Sequence, residues 1–138
     1  MDNVVAYLRG CGAVTVIRDA EARRSETPGG VMTTLASPAQ GGATRSLWKV
    51  EARAGAVGPV HDFDSEQVWS WVAGAATVEL GGETYTVTAG DTVVMPARTV
   101  RRVLADPGTG YTALVTAPGG ARAFGPDGVE FGVPPWIV

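Results

Sequence analysis

Residues 58–82 read GPVHDFDSEQVWSWVAGAATVELGG. The stretch holds the only histidine of the chain, His61, two tryptophans one residue apart, Trp69 and Trp71, and a closing Gly81–Gly82 pair. Side chains in a strand alternate between faces, so Gln67, Trp69 and Trp71 share one face and Glu66 and Ser70 take the other. A diglycine between ATVEL (76–80) and TYTV (84–87) is a tight-hairpin signal. The same pattern recurs outward on both sides. Runs rich in Val, Thr, Trp and Tyr occur at VTVIRD (14–19), VMTTLA (31–36), SLWKVEAR (46–53), QVWSWVAG (67–74), TVVMP (92–96), RRVLAD (101–106) and YTALVTA (111–117). With 19 glycines and 9 prolines cutting the chain into such short pieces, an all-β sandwich or barrel is predicted. One short helix is expected around AEARR (20–24). Pro134–Pro135 exclude a helical tail. Trp136, Ile137 and Val138 are apolar enough that they are expected to pack on the barrel or on a partner subunit.

The whole-chain properties narrow the function classes. A length of 138 residues predicts a single domain with a core of its own. The net charge of −3 argues against a nucleic-acid-binding face, which is normally strongly basic. Charged residues at 18% and hydrophobic ones at 45% argue for a folded chain rather than a disordered one. A lone cysteine, Cys11, permits no internal disulfide and fits a reducing compartment. Asp2 and Arg9 are out of place in a signal peptide, and no run approaches the ~18 apolar residues of a membrane span. The expectation is a soluble, cytoplasmic protein with neither nucleic acid nor membrane as partner.

Gly55, His61, Phe63, Gln67 and Gly74 fall at the spacing Gly, five residues, X, one, X, three, X, six, Gly. Gly90, Pro96, Arg98, Arg101 and Ala105 keep a second spacing, with GGETYTVTAGDTVVMPA (81–97) running through it. In these two frames the chain resembles the cupin family, with the motif core at 55–105 and one cupin-like domain over 1–138. The resemblance implies a double-stranded β-helix, a jelly-roll barrel whose mouth holds the site. In metal-binding cupins the ligand positions carry two histidines and a glutamate in the first motif and a histidine in the second. Carried over, those positions are His61, Phe63, Gln67 and Arg101. Phenylalanine has no lone pair to donate, and a permanent guanidinium beside a divalent ion costs several kcal/mol at moderate dielectric. No metal and no other cofactor is therefore expected; the residual alternative is a weak site drawing on Asp62, Asp64 or Glu66.

Alternation then assigns the lumen. His61 and Phe63 are expected inside, with Asp62 and Asp64 outside. Ser46, Trp48 and Val50 face in, opposite Lys49, Glu51 and Arg53; Arg101 and Val103 face in, opposite Arg102; Tyr85, Val87, Val93 and Met95 complete the lining. The candidate binding residues are thus Ser46, Trp48, Phe63, Trp69, Trp71, Tyr85 and Met95, and the candidate catalytic residues are His61, Gln67 and Arg101. An inward guanidinium needs company. Glu130 or Asp127 from the flank, water in an open mouth, or an anionic or carbonyl-bearing ligand would each supply it. A mostly apolar concavity with a few converging polar groups is the common form of a small-molecule pocket. The sequence points to a metal-independent enzyme moving a proton on a small aromatic or apolar carbonyl compound, by isomerisation, cyclisation or dehydration. His61 would be the base, while Arg101 or Gln67 would hold the oxygen. The alternatives are a binding or sensing module without chemistry and a metal-dependent oxygenase with a degenerate site. Arg98 is expected at the rim, and a homodimer is expected from the open strand edges and the apolar tail.

Overall fold

The computed structural model describes residues 14–138; Cys11 and the segment compared with a signal peptide lie outside the described residues. The chain runs as β1 (Arg23–Thr27), β2 (Gly30–Ala36), β3 (Arg45–Ala52), β4 (Asp62–Phe63), β5 (Gln67–Leu80), β6 (Glu83–Thr88), β7 (Thr92–Met95), β8 (Arg101–Ala105), β9 (Tyr111–Pro118), β10 (Ala123–Phe124) and β11 (Glu130–Gly132). The pairing order is β1-β2-β3-β9-β5-β6, with β7 and β8 also paired to β5, and a small sheet β11-β10-β4 stands beside it. All of the ladders between these strands are antiparallel. The result is a curled antiparallel sheet closing on itself as a jelly roll, the all-β class read from the sequence.

β5 is the hinge of this arrangement. Its first half pairs with β7 and β9, and its second half pairs with β6 and β8. A register shift between Trp71 and Ala73 separates the halves. Gln67 and Trp71 are buried before it, Ala76 and Val78 after it, so the bulge moves the inward set from odd to even positions. That parity change is why QVWSWVAG and ATVEL read as two strands although they form one. Gly74 makes the crossing at φ 75°, where an added Cβ would lie 2.1 Å from the Gly110 carbonyl oxygen. The Gly81–Gly82 hairpin forms as read, with φ 58° and 85°, the two positive angles of a type I′ turn.

The N-terminal part differs from expectation. VTVIRD forms no strand: Val14 and Val16 are 94% and 60% exposed, and no ladder reaches them. The expected helix at 20–24 is a single 3-10 turn at Asp19–Glu21, held by the Glu21 side chain accepting the Arg18 N–H at 3.2 Å, after which Arg23 and Arg24 pair with β2. The polar strand β1 and the two- and three-residue strands β4, β10 and β11 carry no alternating apolar signal, and only their partners make them strands.

The core is built from Trp48 and Val50 of β3, Trp71 and Val78 of β5, Val103 of β8, and Ala113, Val115 and Ala117 of β9. The tail closes it. Ile137 is fully buried, worth about 2 kcal/mol at the usual value per buried side chain. Thr34 Oγ1 donates to the Trp136 carbonyl at 2.9 Å, Ser46 Oγ to that of Ile137 at 2.5 Å, and Ser37 Oγ to that of Val138 at 2.7 Å. The Arg23 guanidinium donates to the Val138 oxygen as well. The tail packs on its own barrel, one of the two outcomes expected. Among the described residues no helix is long and apolar enough to cross a membrane.

Candidate functional site

A cavity of about 370 Å³ opens between the sheet faces. Trp48 and Val50 from β3, Phe63 from β4, Gln67 and Trp69 from β5 and Arg101 and Val103 from β8 form its walls, with His61 beside them. The backbones of His61 and Arg101 exchange two hydrogen bonds, at 3.1 and 2.9 Å. That bridge fixes the first motif against the second, and all four positions equivalent to metal ligands meet on one cavity wall.

Arg101 is 2% exposed and is met without a carboxylate, three of its five N–H donors being used and one on each Nη left over. Its Nε donates to the Thr99 carbonyl at 2.9 Å, Nη2 to the Pro96 carbonyl at 3.1 Å and Nη1 to Gln67 Oε1 at 3.3 Å. The guanidinium carbon stands 5.4 Å from the centre of the Phe63 ring. Burial lowers the Arg101 pKa to about 10, with the Asp62 charge opposing the shift, so the group stays cationic at neutral pH. Neither flank residue offered as a partner is used: Glu130 pairs with Arg122 at 3.0 Å and Asp127 accepts the Val129 N–H.

Gln67 is the junction of the polar wall. Its Oε1 also accepts the Trp69 indole N–H at 2.9 Å, while its Nε2 is buried without an acceptor among the described residues. His61 Nδ1 lies 3.0 Å from the Pro59 carbonyl oxygen. A carbonyl only accepts, so Nδ1 carries the proton and Nε2 keeps its lone pair. Burial, and secondly the positive charge of Arg101, hold the His61 pKa below 6.5, leaving a neutral imidazole at pH 7. Its ring meets Phe63 edge-on, with centres 5.1 Å apart.

Several expected lining residues stand elsewhere. Trp71 is fully buried behind the wall, stacked at 5.5 Å on Trp69 with its indole N–H unpartnered. Met95 is fully buried in the core, and Ser46 is used to tie down Ile137. Tyr85 is 47% exposed. It shares a face with buried Val78, as alternation requires, but β6 is the end strand of the sheet and the ring reaches past the core. Asp62 does not line the cavity, but it is buried rather than exposed, because β4 pairs with β10 on one side and the Arg98 turn covers the other. Arg98 Nε lies 2.8 Å from Asp62 Oδ1, as an ion pair whose N–H is not aimed for a hydrogen bond. Arg98 holds φ 56°, a left-handed conformation that favours glycine, with its guanidinium 4.2 Å above the Phe124 ring. The lining residues that were not singled out as site residues include Met32, Tyr111 and Trp136. Tyr111 was legible, since YTALVTA alternates with Ala113, Val115 and Ala117 inward.

The donor set does not suit a divalent metal. One imidazole nitrogen remains; the only amide oxygen is committed to two donors, and the other positions offer a phenyl ring and a cation. Among the described residues no three His, Cys, Asp or Glu side chains converge.

Fold and cavity together define a small single-barrel cupin. The chain belongs to the family of AraC-like ligand binding domains, whose pattern matches residues 51–125. Three solved structures share the barrel. An RmlC-like cupin from Shewanella frigidimarina is 20% identical over 78% of this chain and 93% of its own, with a TM-score of 0.65. KdgF from a Halomonas species is 24% identical over 77% and 94%, at 0.64. The polyketide cyclase RemF from Streptomyces resistomycificus is 19% identical over 77% and 80%, at 0.65. At these identities the likeness is one of fold. No curated protein matches the sequence.

Proposed function

We propose that the chain is a metal-independent enzyme that moves a proton on a small aromatic or apolar compound bearing a carbonyl or carboxylate oxygen. The observation that carries this reading is the Gln67 amide N–H, buried beside Arg101 with no acceptor among the described residues, in the wall of a cavity that is also lined by an imidazole whose Nε2 keeps its lone pair. A buried donor without a partner costs about 1–3 kcal/mol, and a ligand oxygen would relieve it. With that oxygen held by Gln67 Nε2 and the Arg101 guanidinium, His61 Nε2 accepts the proton from the adjacent carbon. The C–H electron pair moves into an enolate, whose charge the two donors offset. Return of the proton from His61 to another atom completes an isomerisation, and loss of a leaving group instead completes a dehydration. The polyketide cyclase among the similar folds fits aromatic carbonyl chemistry, as an analogy only.

The test is deuterium exchange. Aromatic ketones and acids that raise the melting temperature would be incubated with the protein in heavy water, and exchange at the carbon next to the carbonyl followed by NMR. His61→Gln should abolish exchange and leave affinity within about threefold. Binding without any exchange in the wild type would instead favour the second reading, a non-catalytic ligand-binding module, which the family description supports. Stoichiometric metal that survives dialysis and is lost on His61→Ala would reject both.

A further inference from the structure

We propose that Tyr111 is a second polar anchor at the far end of the cavity, so that the ligand is an elongated aromatic compound with an oxygen function at each end. The proposal rests on the pocket reading above and adds a length and a second functional group to it.

The placement follows from strand register. Tyr111 lies opposite Ala52 on β3 and Gly74 on β5, whereas Val115 lies opposite Trp48 and Trp69. Val68 is paired with Thr116, so Gln67 stands one step further, level with Ala117. Six residues of extended strand therefore separate the level of Tyr111 from that of Gln67, about 20 Å between Cα atoms before the side chains are counted. β8 repeats the order on the facing side: Arg101 pairs with Leu80, and Ala105, four residues on, with Ala76 near the Gly74 crossing. The polar wall of Gln67, Arg101 and His61 thus occupies one end and the phenol the other. Between them Trp48, Val50, Ala52 and Met32 present apolar surface. The inward positions of β9 between the ends, Ala113 and Val115, are buried in the core behind the cavity wall.

Among the described residues the Tyr111 hydroxyl has no hydrogen-bond partner. The ring is 8% exposed, packs 5.9 Å from Trp71 and lines the cavity. Burial is the one influence on its ionisation and pushes the phenol pKa upward, with no hydrogen bond contributing. Its oxygen is not one of the fully buried unpartnered atoms, so a ligand can reach it, and phenylalanine would fill the same space without offering a hydroxyl. A neutral phenol on the wall of an apolar cavity is suited to a ligand hydroxyl or carbonyl.

The experiment uses two matched pairs of probes: naphthoate with its far-ring hydroxynaphthoate, and biphenylcarboxylate with its far-ring para-hydroxy derivative. Affinities would be measured by calorimetry on wild type and Tyr111→Phe, with both variants' melting curves recorded. In the wild type the hydroxylated member of at least one pair should bind roughly fivefold to tenfold tighter, the worth of one good hydrogen bond. Tyr111→Phe should erase that preference while changing the plain acids' affinity by less than about twofold. Equal affinity within both pairs in the wild type, or a preference that survives Tyr111→Phe, overturns the anchor while leaving the pocket reading intact. Failure of all four probes to bind the wild type overturns the pocket reading, and the anchor with it.

Discussion

Replacing Gln67 by glutamate tests the polar wall directly. Gln67 Oε1 already accepts from Trp69 at 2.9 Å and from Arg101 at 3.3 Å, and only its Nε2 is idle. Gln67→Glu keeps the shape and both acceptances, and it removes a stranded donor that costs about 1–3 kcal/mol. It also places a carboxylate in hydrogen-bond reach of a guanidinium now met only by neutral acceptors. Burying a new charge costs several kcal/mol, but Arg101 is already desolvated, as its pKa near 10 indicates. Completing a half-made buried pair reverses the ~3–5 kcal/mol penalty of breaking one, and this offsets the carboxylate's own desolvation. The expected balance at neutral pH is stabilisation by about 1–3 kcal/mol, or a melting temperature higher by roughly 3–10 °C for a chain of this size. Calorimetric melting and urea titration both read this. Affinity for an aromatic carboxylate should fall at least about tenfold, because an N–H donor has become an anion and Arg101 has been neutralised. A lower melting temperature would refute the reasoning, since it would mean that desolvating the carboxylate costs more than pairing with Arg101 and removing the unpartnered donor return.

Further outcomes follow from the same contacts. The His61 pKa is lower in the folded chain than its unfolded value of 6.5, so both states are neutral above that pH. As pH falls below 6.5 the unfolded chain takes up a proton that the folded one refuses, and stability should drop by up to about 1.4 kcal/mol per pH unit until the folded pKa is reached. Urea midpoints between about pH 7 and pH 5.5 should show this slope in wild type and not in His61→Gln. Gly74→Ala should cost about 3 kcal/mol or more, since its Cβ would fall 2.1 Å from the Gly110 oxygen at a φ of 75°; a melting temperature within about 2 °C of wild type would contradict the crossing geometry. Ile137→Ala should lose about 2–4 kcal/mol by leaving a hole where the tail closes the core, read by urea denaturation. For the proposed homodimer, sedimentation should give twice the 14.2 kDa chain mass; a monomer at micromolar concentration rejects it.

Most of the barrel was legible because its long strands announce themselves by alternation. β3 and β9 bury every second residue, as SLWKVEAR and YTALVTA promised. Alternation failed where something other than the strand's own side chains decides. The bulge after Trp71 shifts parity within β5. Position at the sheet edge exposes Tyr85 although its face is the inner one. Asp62 is buried by a turn and by β10, neither of which is visible from the sequence around it. VTVIRD has the composition of a strand but no neighbour to pair with, and β-propensity measures fit to a neighbour more than any intrinsic preference. In the site, the motif spacing brought His61, Phe63, Gln67 and Arg101 together, while the partner of Arg101 could not be read, since it proved to be backbone carbonyls and an amide instead of a carboxylate.

The replacements at the cupin ligand positions depend on one another. Arg101 can be buried there because Thr99 and Pro96 turn their carbonyls toward it, Gln67 supplies a neutral oxygen, and the Phe63 ring faces its guanidinium at 5.4 Å. Gln67 in turn can place its oxygen between Trp69 and Arg101 only by leaving its N–H₂ buried without an acceptor among the described residues. A histidine at position 63 would put a hydrogen-bonding ring against a cation, and a histidine at 101 would strand the two carbonyls. Each single reversion toward a metal ligand therefore conflicts with the other residues, and stepwise restoration of metal binding would pass through less stable proteins. Gln67→Glu is the exception, because Arg101 benefits from it. That difference among the reversions follows from a cationic wall and would be absent from a metal site that had merely lost ligands one at a time.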